Sequence, residues 1–124
     1  MLIRTTFVIQ EHRAKKSGLH WDFRIKKDKK LASWVIPKHK MPESGQNLLA
    51  VRTSDHPLDW AEFEGDITDG YGQGNVKIID KGDCNIYKWG NISIVFELKG
   101  SKIRGRFALV HIGQKKNWLI LRSK

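Results

Sequence analysis

The segment His20-Trp21-Asp22-Phe23-Arg24 places an imidazole, a carboxylate and a guanidinium at every second position. In an extended chain neighbouring side chains point to opposite faces, so His20, Asp22, Arg24 and Lys26 share one face and Trp21, Phe23 and Ile25 the other. Successive members of a face lie about 6–7 Å apart between Cα atoms. The apolar face reads as a core stripe. Burying the polar face in apolar surroundings would cost heavily in desolvation, so it is expected to meet water, a metal or an anion. A neutral imidazole and a carboxylate two residues apart can reach one divalent ion, and that donor pair suits Zn, Mn or Fe better than Ca or Mg. Arg24 could then hold phosphate oxygens by a planar two-point contact. The same row would also suit a plain solvated strand whose Asp–Arg pair is worth under ~1 kcal/mol. Other parts of the chain must separate the two readings.

His12 is the first of these. It follows the strand-like Phe7-Val8-Ile9-Gln10, and the loop after it, Arg13–Gly18, leads back to His20. A hairpin return would set His12 beside His20 and Asp22, giving three protein ligands and open positions for water and substrate. His56 is the second, in Asp55-His56-Pro57-Leu58-Asp59-Trp60. Pro57 restricts His56 to extended or turn geometry and so fixes an imidazole at a strand end, where it could donate to a phosphate oxygen or protonate a leaving group. Arg52 and Lys38 are further cations that could stabilise charge building up on a phosphate. His39, in the basic loop Pro37–Lys40, and His111, at the end of a core strand, read as non-catalytic. Gly70-Tyr71-Gly72-Gln73-Gly74 looks like a phosphate loop, but no helix follows it, so it reads as a tight turn between β elements. No nucleophile elbow occurs, and Cys84 has no activating neighbour in sequence.

The elements that must position these groups are strands. Apolar residues recur with period two at Ile92, Ile94, Phe96 and Leu98, at Phe107 and Leu109, and at Trp118 and Ile120. Shorter strand candidates cover residues 7–10, 19–27, 31–36, 48–53, 74–80 and 83–88. Turn signals separate them at Lys27-Asp28-Lys29, Pro42-Glu43-Ser44-Gly45, Asp69-Gly70 and Lys81-Gly82-Asp83. The only helix-like stretch, Leu58–Phe63, is long enough for one or two turns. The expected fold is all-β, one small antiparallel barrel of about eight strands in a single domain spanning residues 1–124.

Composition narrows the partners. Lys and Arg total 23 against 13 Asp and Glu, a formal net charge of +10, which favours polyanions such as DNA or RNA. Cys84 is the single cysteine, so an intramolecular disulfide and a Cys-rich zinc site are excluded. The N-terminus lacks a signal-peptide core, and no apolar run approaches the ~20 residues of a membrane span. A cytoplasmic location with no membrane association is expected.

Taken in order, several separated stretches carry a resemblance. They are Phe7-Val8-Ile9-Gln10-Glu11-His12, Leu19-His20-Trp21-Asp22-Phe23-Arg24, Ser33-Trp34-Val35-Ile36-Pro37-Lys38 and Leu49-Ala50-Val51-Arg52. Then come Asp55-His56-Pro57-Leu58-Asp59, Phe63-Glu64-Gly65, Arg104-Gly105-Arg106-Phe107-Ala108-Leu109-Val110 and Asn117-Trp118-Leu119-Ile120. Across nearly the whole chain the sequence resembles the 3′-phosphoesterase domain of bacterial DNA ligase D. The resemblance implies a manganese-dependent β-barrel enzyme of DNA repair that removes a 3′-terminal ribonucleoside and then the 3′-phosphate. It implies that His12, His20 and Asp22 hold Mn²⁺, with Co²⁺ or Zn²⁺ as substitutes, and that Arg24 and His56 bind the scissile phosphate. The chain is expected to be a free-standing monomer acting on DNA or DNA–RNA 3′ ends beside a separate ligase and polymerase, and it departs from longer members in lacking their N-terminal extension. Trp60 stands where bacterial members commonly carry tyrosine, so a step needing a phenolic oxygen, above all phosphate-monoester removal, would lose it. The rival expectation is a non-catalytic nucleic-acid-binding barrel, which would ignore the metal.

Overall fold

The structure, a computed structural model, describes residues 2–70, 72–113 and 115–123. Nine strands follow one another: β1 (Ile3–Ala14), β2 (Gly18–Lys27), β3 (Lys30–Ile36), β4 (Asn47–His56), β5 (Gly65–Ile67), β6 (Gly74–Trp89), β7 (Ser93–Gly100), β8 (Arg104–His111) and β9 (Asn117–Arg122). Among the described residues a single 3-10 turn, Leu58–Glu62, lies between β4 and β5. All pairings are antiparallel in the order β1-β2-β3-β4-β9-β8-β7-β6, and β6 pairs back to β1. Eight strands therefore close a barrel, in which each of the eight has a neighbour on both sides. β5 is extra and pairs only with the start of β6.

The barrel closes because its alternating strands bury one face each. Phe23, Phe96 and Phe107 stack through the centre, with ring centroids 5.5 and 6.0 Å apart. Ile9, Ile25, Trp34, Ile86, Ile94, Leu98, Leu109 and Ile120 fill the space around them. The alternation read at Ile94, Phe96 and Leu98, at Phe107 and Leu109, and at Trp118 and Ile120 is the alternation of this core. Ile92 departs from it: the residue sits in the turn before β7 and is 68% exposed.

Two strand boundaries also differ from the sequence reading. β1 extends beyond residues 7–10 in both directions, because its outer positions carry Arg4, Thr6, Gln10 and His12 and show no apolar period. Residues 74–89 form one strand rather than two with a turn at Lys81-Gly82-Asp83. Gly82 marks a close approach between backbones, not a turn. A Cβ there would meet the Lys99 carbonyl oxygen at 2.5 Å. The ladder to β1 shifts beside it, between Ile9 and Gln10.

Asp80, just ahead of Gly82, is 4% exposed, and its carboxylate gathers four backbone N–H donors. Lys81 and Ser101 donate to Oδ1 at 2.9 and 3.0 Å, and Lys102 and Ile103 to Oδ2 at 2.9 and 2.7 Å. The β7–β8 turn is thus pinned to β6 through one side chain. None of the described helices is long and apolar enough to cross a membrane.

Candidate metal centre

The site is assembled by the β1–β2 hairpin. Its register pairs His12 with His20 and Gln10 with Asp22 directly across the two strands, so all four point outward from the barrel on one face. The loop is shorter than the sequence suggested, because β1 runs on to Ala14. One potential ligand atom from each of His12, His20 and Asp22 lies within 4.8 Å of the others. His12 Nδ1 stands 3.7 Å from Asp22 Oδ2 and His20 Nε2 stands 3.5 Å from Asp22 Oδ1.

These separations are too long for good hydrogen bonds. The 3.5 Å separation falls within the roughly 3–3.6 Å expected between atoms that share one ion at about 2.0–2.2 Å, and the 3.7 Å separation lies just beyond it. His20 strengthens the fit. Among the described residues its buried Nδ1 has no hydrogen-bond partner, and its Nε2 stands toward Asp22. His12 is oriented from behind, its Nε2 lying 2.8 Å from the Gly72 carbonyl oxygen. That acceptor holds the proton on Nε2 and leaves the Nδ1 lone pair facing Asp22, the usual outer support of a metal-binding imidazole.

The polar face is covered rather than open. His12, His20, Asp22 and Arg24 are each at most 9% exposed. Trp60, Phe63 and Gly72 lie over them, and the cover is fastened in part through Gln10. This residue, fully buried, donates to the carbonyl oxygens of Trp60 at 2.7 Å and Phe63 at 3.1 Å. Its own oxygen accepts from Arg24 Nε at 2.7 Å. Gly72 belongs to the glycine-rich segment read as a simple turn. Gly70 does turn the chain there, accepting from Gln73 N, while Tyr71 lies outside the described residues.

Arg24 is engaged on nearly every side. Nη1 donates to Ser33 Oγ at 3.0 Å and to His56 Nδ1 at 3.1 Å, and Nη2 stands 3.4 Å from Asp22 Oδ2. Ser33 Oγ passes its own hydrogen to the Leu31 carbonyl. Burial lowers the Arg24 pKa and Asp22 acts in the opposite direction. With Nε and both Nη1 hydrogens committed, the two-point fork expected from the sequence reduces to the Nη2 edge.

His56 ends β4, as Pro57 predicted, and lies beside Arg24. Because a guanidinium can only donate, His56 Nδ1 accepts, and its proton resides on Nε2. Burial, and after it the Arg24 charge, hold the His56 pKa below its ordinary value, so the ring is neutral near pH 7. Trp60 stacks edge-on against His56, centroids 5.7 Å apart, and its ring centroid is 5.9 Å from Arg24 Cζ.

The remaining predicted cations lie elsewhere. Arg52 shares the core face of β4, its guanidinium 4.5 Å above the buried Trp34 ring and 3.4 Å from Asp55. Lys38 is exposed in the turn after β3 and makes no contact with the centre among the described residues. Gln10, Ser33 and Gly72 were not singled out in the sequence. Gln10 had a usable signal, since it lies two positions before His12 on the same face of β1. Ser33 and Gly72 had none, because one sits in an apolar strand and the other contributes only a carbonyl.

The chain is similar to known proteins over most of its length. Residues 10–111 match the family model described as the DNA Ligase D 3′-phosphoesterase domain. A multifunctional non-homologous end joining protein LigD of Mycobacterium bovis is 41% identical over 124 aligned residues, covering 96% of this chain and 16% of that protein. Proteins of the same name from Mycolicibacterium smegmatis and Pseudomonas aeruginosa are 38% and 36% identical, each over 95% of this chain and 17% and 15% of their own length. The chain thus spans about a sixth of the length of the curated relatives it matches. With a family model matched over most of its residues and a metal-compatible triad at the head of that match, the chain belongs to the DNA ligase D 3′-phosphoesterase domain family.

Proposed function

We propose that this protein is a metal-dependent phosphoesterase that heals DNA and DNA–RNA 3′ ends in repair. It removes a terminal ribonucleoside and then the 3′-phosphate, leaving a 3′-hydroxyl for a ligase to seal. The observation that carries this reading is the convergence of three groups with metal-ligand chemistry, His12, His20 and Asp22, beside a guanidinium and a neutral imidazole.

His12, His20 and Asp22 would hold Mn²⁺, or Co²⁺ or Zn²⁺ in its place, whose chemistry when bound is Lewis-acid polarisation of a phosphate oxygen. The protein's own groups do the rest. Gly72 and the covering segment fix the His12 tautomer, so its ligand atom is presented without reorganisation. Arg24 is locked by Gln10, Ser33 and His56, and offers its Nη2 edge to negative charge developing on the phosphoryl group. His56, neutral with its hydrogen on Nε2, can donate a hydrogen bond to a phosphate oxygen or to the departing oxygen. Trp60 supplies packing against both and no phenolic oxygen.

The test is incubation of labelled primers ending in one ribonucleotide or in a 3′-phosphate, with Mn²⁺, Co²⁺, Zn²⁺ or Mg²⁺ in turn. Both products should form with Mn²⁺, and the ratio of the two turnovers reads how far the second step depends on a hydroxyl at position 60. Binding of the primers with no metal-dependent product would replace this reading with that of a non-catalytic binding barrel.

A further inference from the structure

We propose that a basic groove on the outer face of β1, β2, β6 and β7 holds the sugar–phosphate backbone of the strand that leads to the processed 3′ end. This rests on the phosphoesterase reading and adds where the rest of the strand lies.

Two adjoining hollows of about 740 and 540 Å³ share Thr6, Lys26 and Asp83 in their walls and so form one groove. Arg4, Lys26 and Lys99 line the first hollow, and Lys81 enters the second. All four are exposed, and among the described residues none of them is in an ion pair. Two carboxylates, Asp83 and Glu62, stand against these four cations. Four positive side chains on one concave surface, uncommitted to partners in their own protein, match the electrostatics of a phosphate chain. Thr5, Asn85 and Ser101 add neutral hydrogen-bonding groups suited to phosphate oxygens. Among the described residues Phe7 is the sole aromatic in the lining, and it is buried, so those residues offer no platform for base stacking. It would grip backbone without regard to sequence, as an end-processing enzyme requires.

The direction of the groove connects it to the centre. On β1 the outward positions run Arg4, Thr6, Val8, Gln10, His12, from the groove to the metal ligands. On β2 Lys26 follows Arg24 on the same face. The near end is walled by Leu31, which pairs with His56, and by Leu58, two residues beyond His56. A strand lying in the groove therefore arrives at the His56–Arg24 pair. At about 3.3 Å per residue, Thr6 and Arg4 lie roughly 20 and 26 Å from His12 along β1. At about 3.4 Å per nucleotide of duplex, that is roughly six to eight nucleotides upstream of the end.

The experiment compares the wild-type protein with Arg4→Ala/Lys26→Ala/Lys99→Ala and with Lys15→Ala/Lys16→Ala, whose lysines lie on the β1–β2 loop at the opposite end of the same face. Binding is measured on duplexes whose 3′ strand extends about 4 or about 12 nucleotides upstream, between 50 and 200 mM salt, and turnover is measured alongside. The groove variant should lose the advantage of the longer duplex, and its salt dependence should flatten by about 2.7 log units per log unit of salt, at ~0.9 for each phosphate contact removed. Over that range this is roughly a 40-fold smaller loss of affinity. Retention of the length advantage and full salt slope by the groove variant overturns the proposal, and so does a slope change confined to the Lys15/Lys16 variant. Salt-dependent binding of the long duplex that the groove variant loses, with no turnover by any protein, would leave the groove standing and remove the phosphoesterase reading instead.

Discussion

Asp22 on β2 and Asp80 on β6 lie on the two strands that flank β1, and both carboxylates are almost closed to solvent. They are held in opposite ways. Asp80 receives four backbone N–H groups at 2.7–3.0 Å and therefore has no need of a cation. Asp22 receives no hydrogen bond among the described residues. Its neighbours are two imidazoles and a guanidinium at 3.4–3.7 Å. A buried carboxylate satisfied by backbone donors anchors a fold, whereas one surrounded by potential ligands at non-bonding distance is arranged for something held between them. Burial alone does not distinguish a structural acid from a functional one, but the identity and distance of the partners does.

The largest effects should come from breaking the Asp22 side of this comparison. Asp22→Ala and His20→Ala are each expected to abolish turnover of both 3′-ribonucleotide and 3′-phosphate primers. Full activity in either variant would show that the centre lies elsewhere. Asp80→Asn should instead act on stability. It removes the charge and half of the accepting capacity for four N–H groups, at a cost of about 2–4 kcal/mol in chemical denaturation, with metal-dependent turnover kept in the folded fraction.

The same contrast has a pH dependence. Burial raises the Asp80 pKa, but the four N–H donors outweigh it and hold the value below the ordinary 3.8. A depressed carboxylate stabilises the fold above its unfolded pKa and loses that contribution as pH falls through the folded value. Wild-type stability should therefore drop below about pH 4, and Asp80→Asn should remove that part of the drop.

Metal addition sharpens the comparison from the other side. At a hundredfold excess over Kd, Mn²⁺ should stabilise the wild-type protein by about 2.7 kcal/mol in thermal melts. Asp80→Asn should keep this shift from a lower starting point, and Asp22→Ala should lose it. His56 gives a smaller effect. If its neutral form works in the site, kcat/KM should be level through neutral pH and fall only below about pH 6.5, since burial and Arg24 lower its pKa. His56→Gln should flatten that acid limb. Arg52→Ala should be the mildest, leaving kcat in place and costing about 0.5–1 kcal/mol through its lost contact with Trp34.

How far the site could be read in advance depended on the element. The β1–β2 hairpin was legible because period-two alternation and a short polar loop fix the face of every residue, so His12, His20 and Asp22 could be joined without coordinates. Arg52 was misleading for a related reason. Being charged, it was expected to stabilise charge on a phosphate, yet alternation from Ala50 puts it on the inner face, where its flat guanidinium covers Trp34. Lys81-Gly82-Asp83 carried every sign of a turn, and only the contact between Gly82 and the Lys99 carbonyl shows that the glycine serves a close approach. The cover over the centre was not legible at all, because Gln10, Trp60, Phe63 and Gly72 meet through backbone carbonyls that leave no pattern in sequence.

By itself, the sequence determined the all-β class, the wet and dry faces of β2, the family resemblance and the residues with metal-ligand chemistry. These follow from local periodicity and side-chain type, which need no knowledge of distant neighbours. Only the tertiary structure decided that the wet face is roofed, that Arg24 is spent on Gln10, Ser33 and His56, and that Asp22 rather than Asp80 is the carboxylate left without hydrogen bonds. Those outcomes depend on which groups from residues 10, 33, 56 and 72 arrive within about 3 Å of one another, and hydrogen bonding is decided at that range.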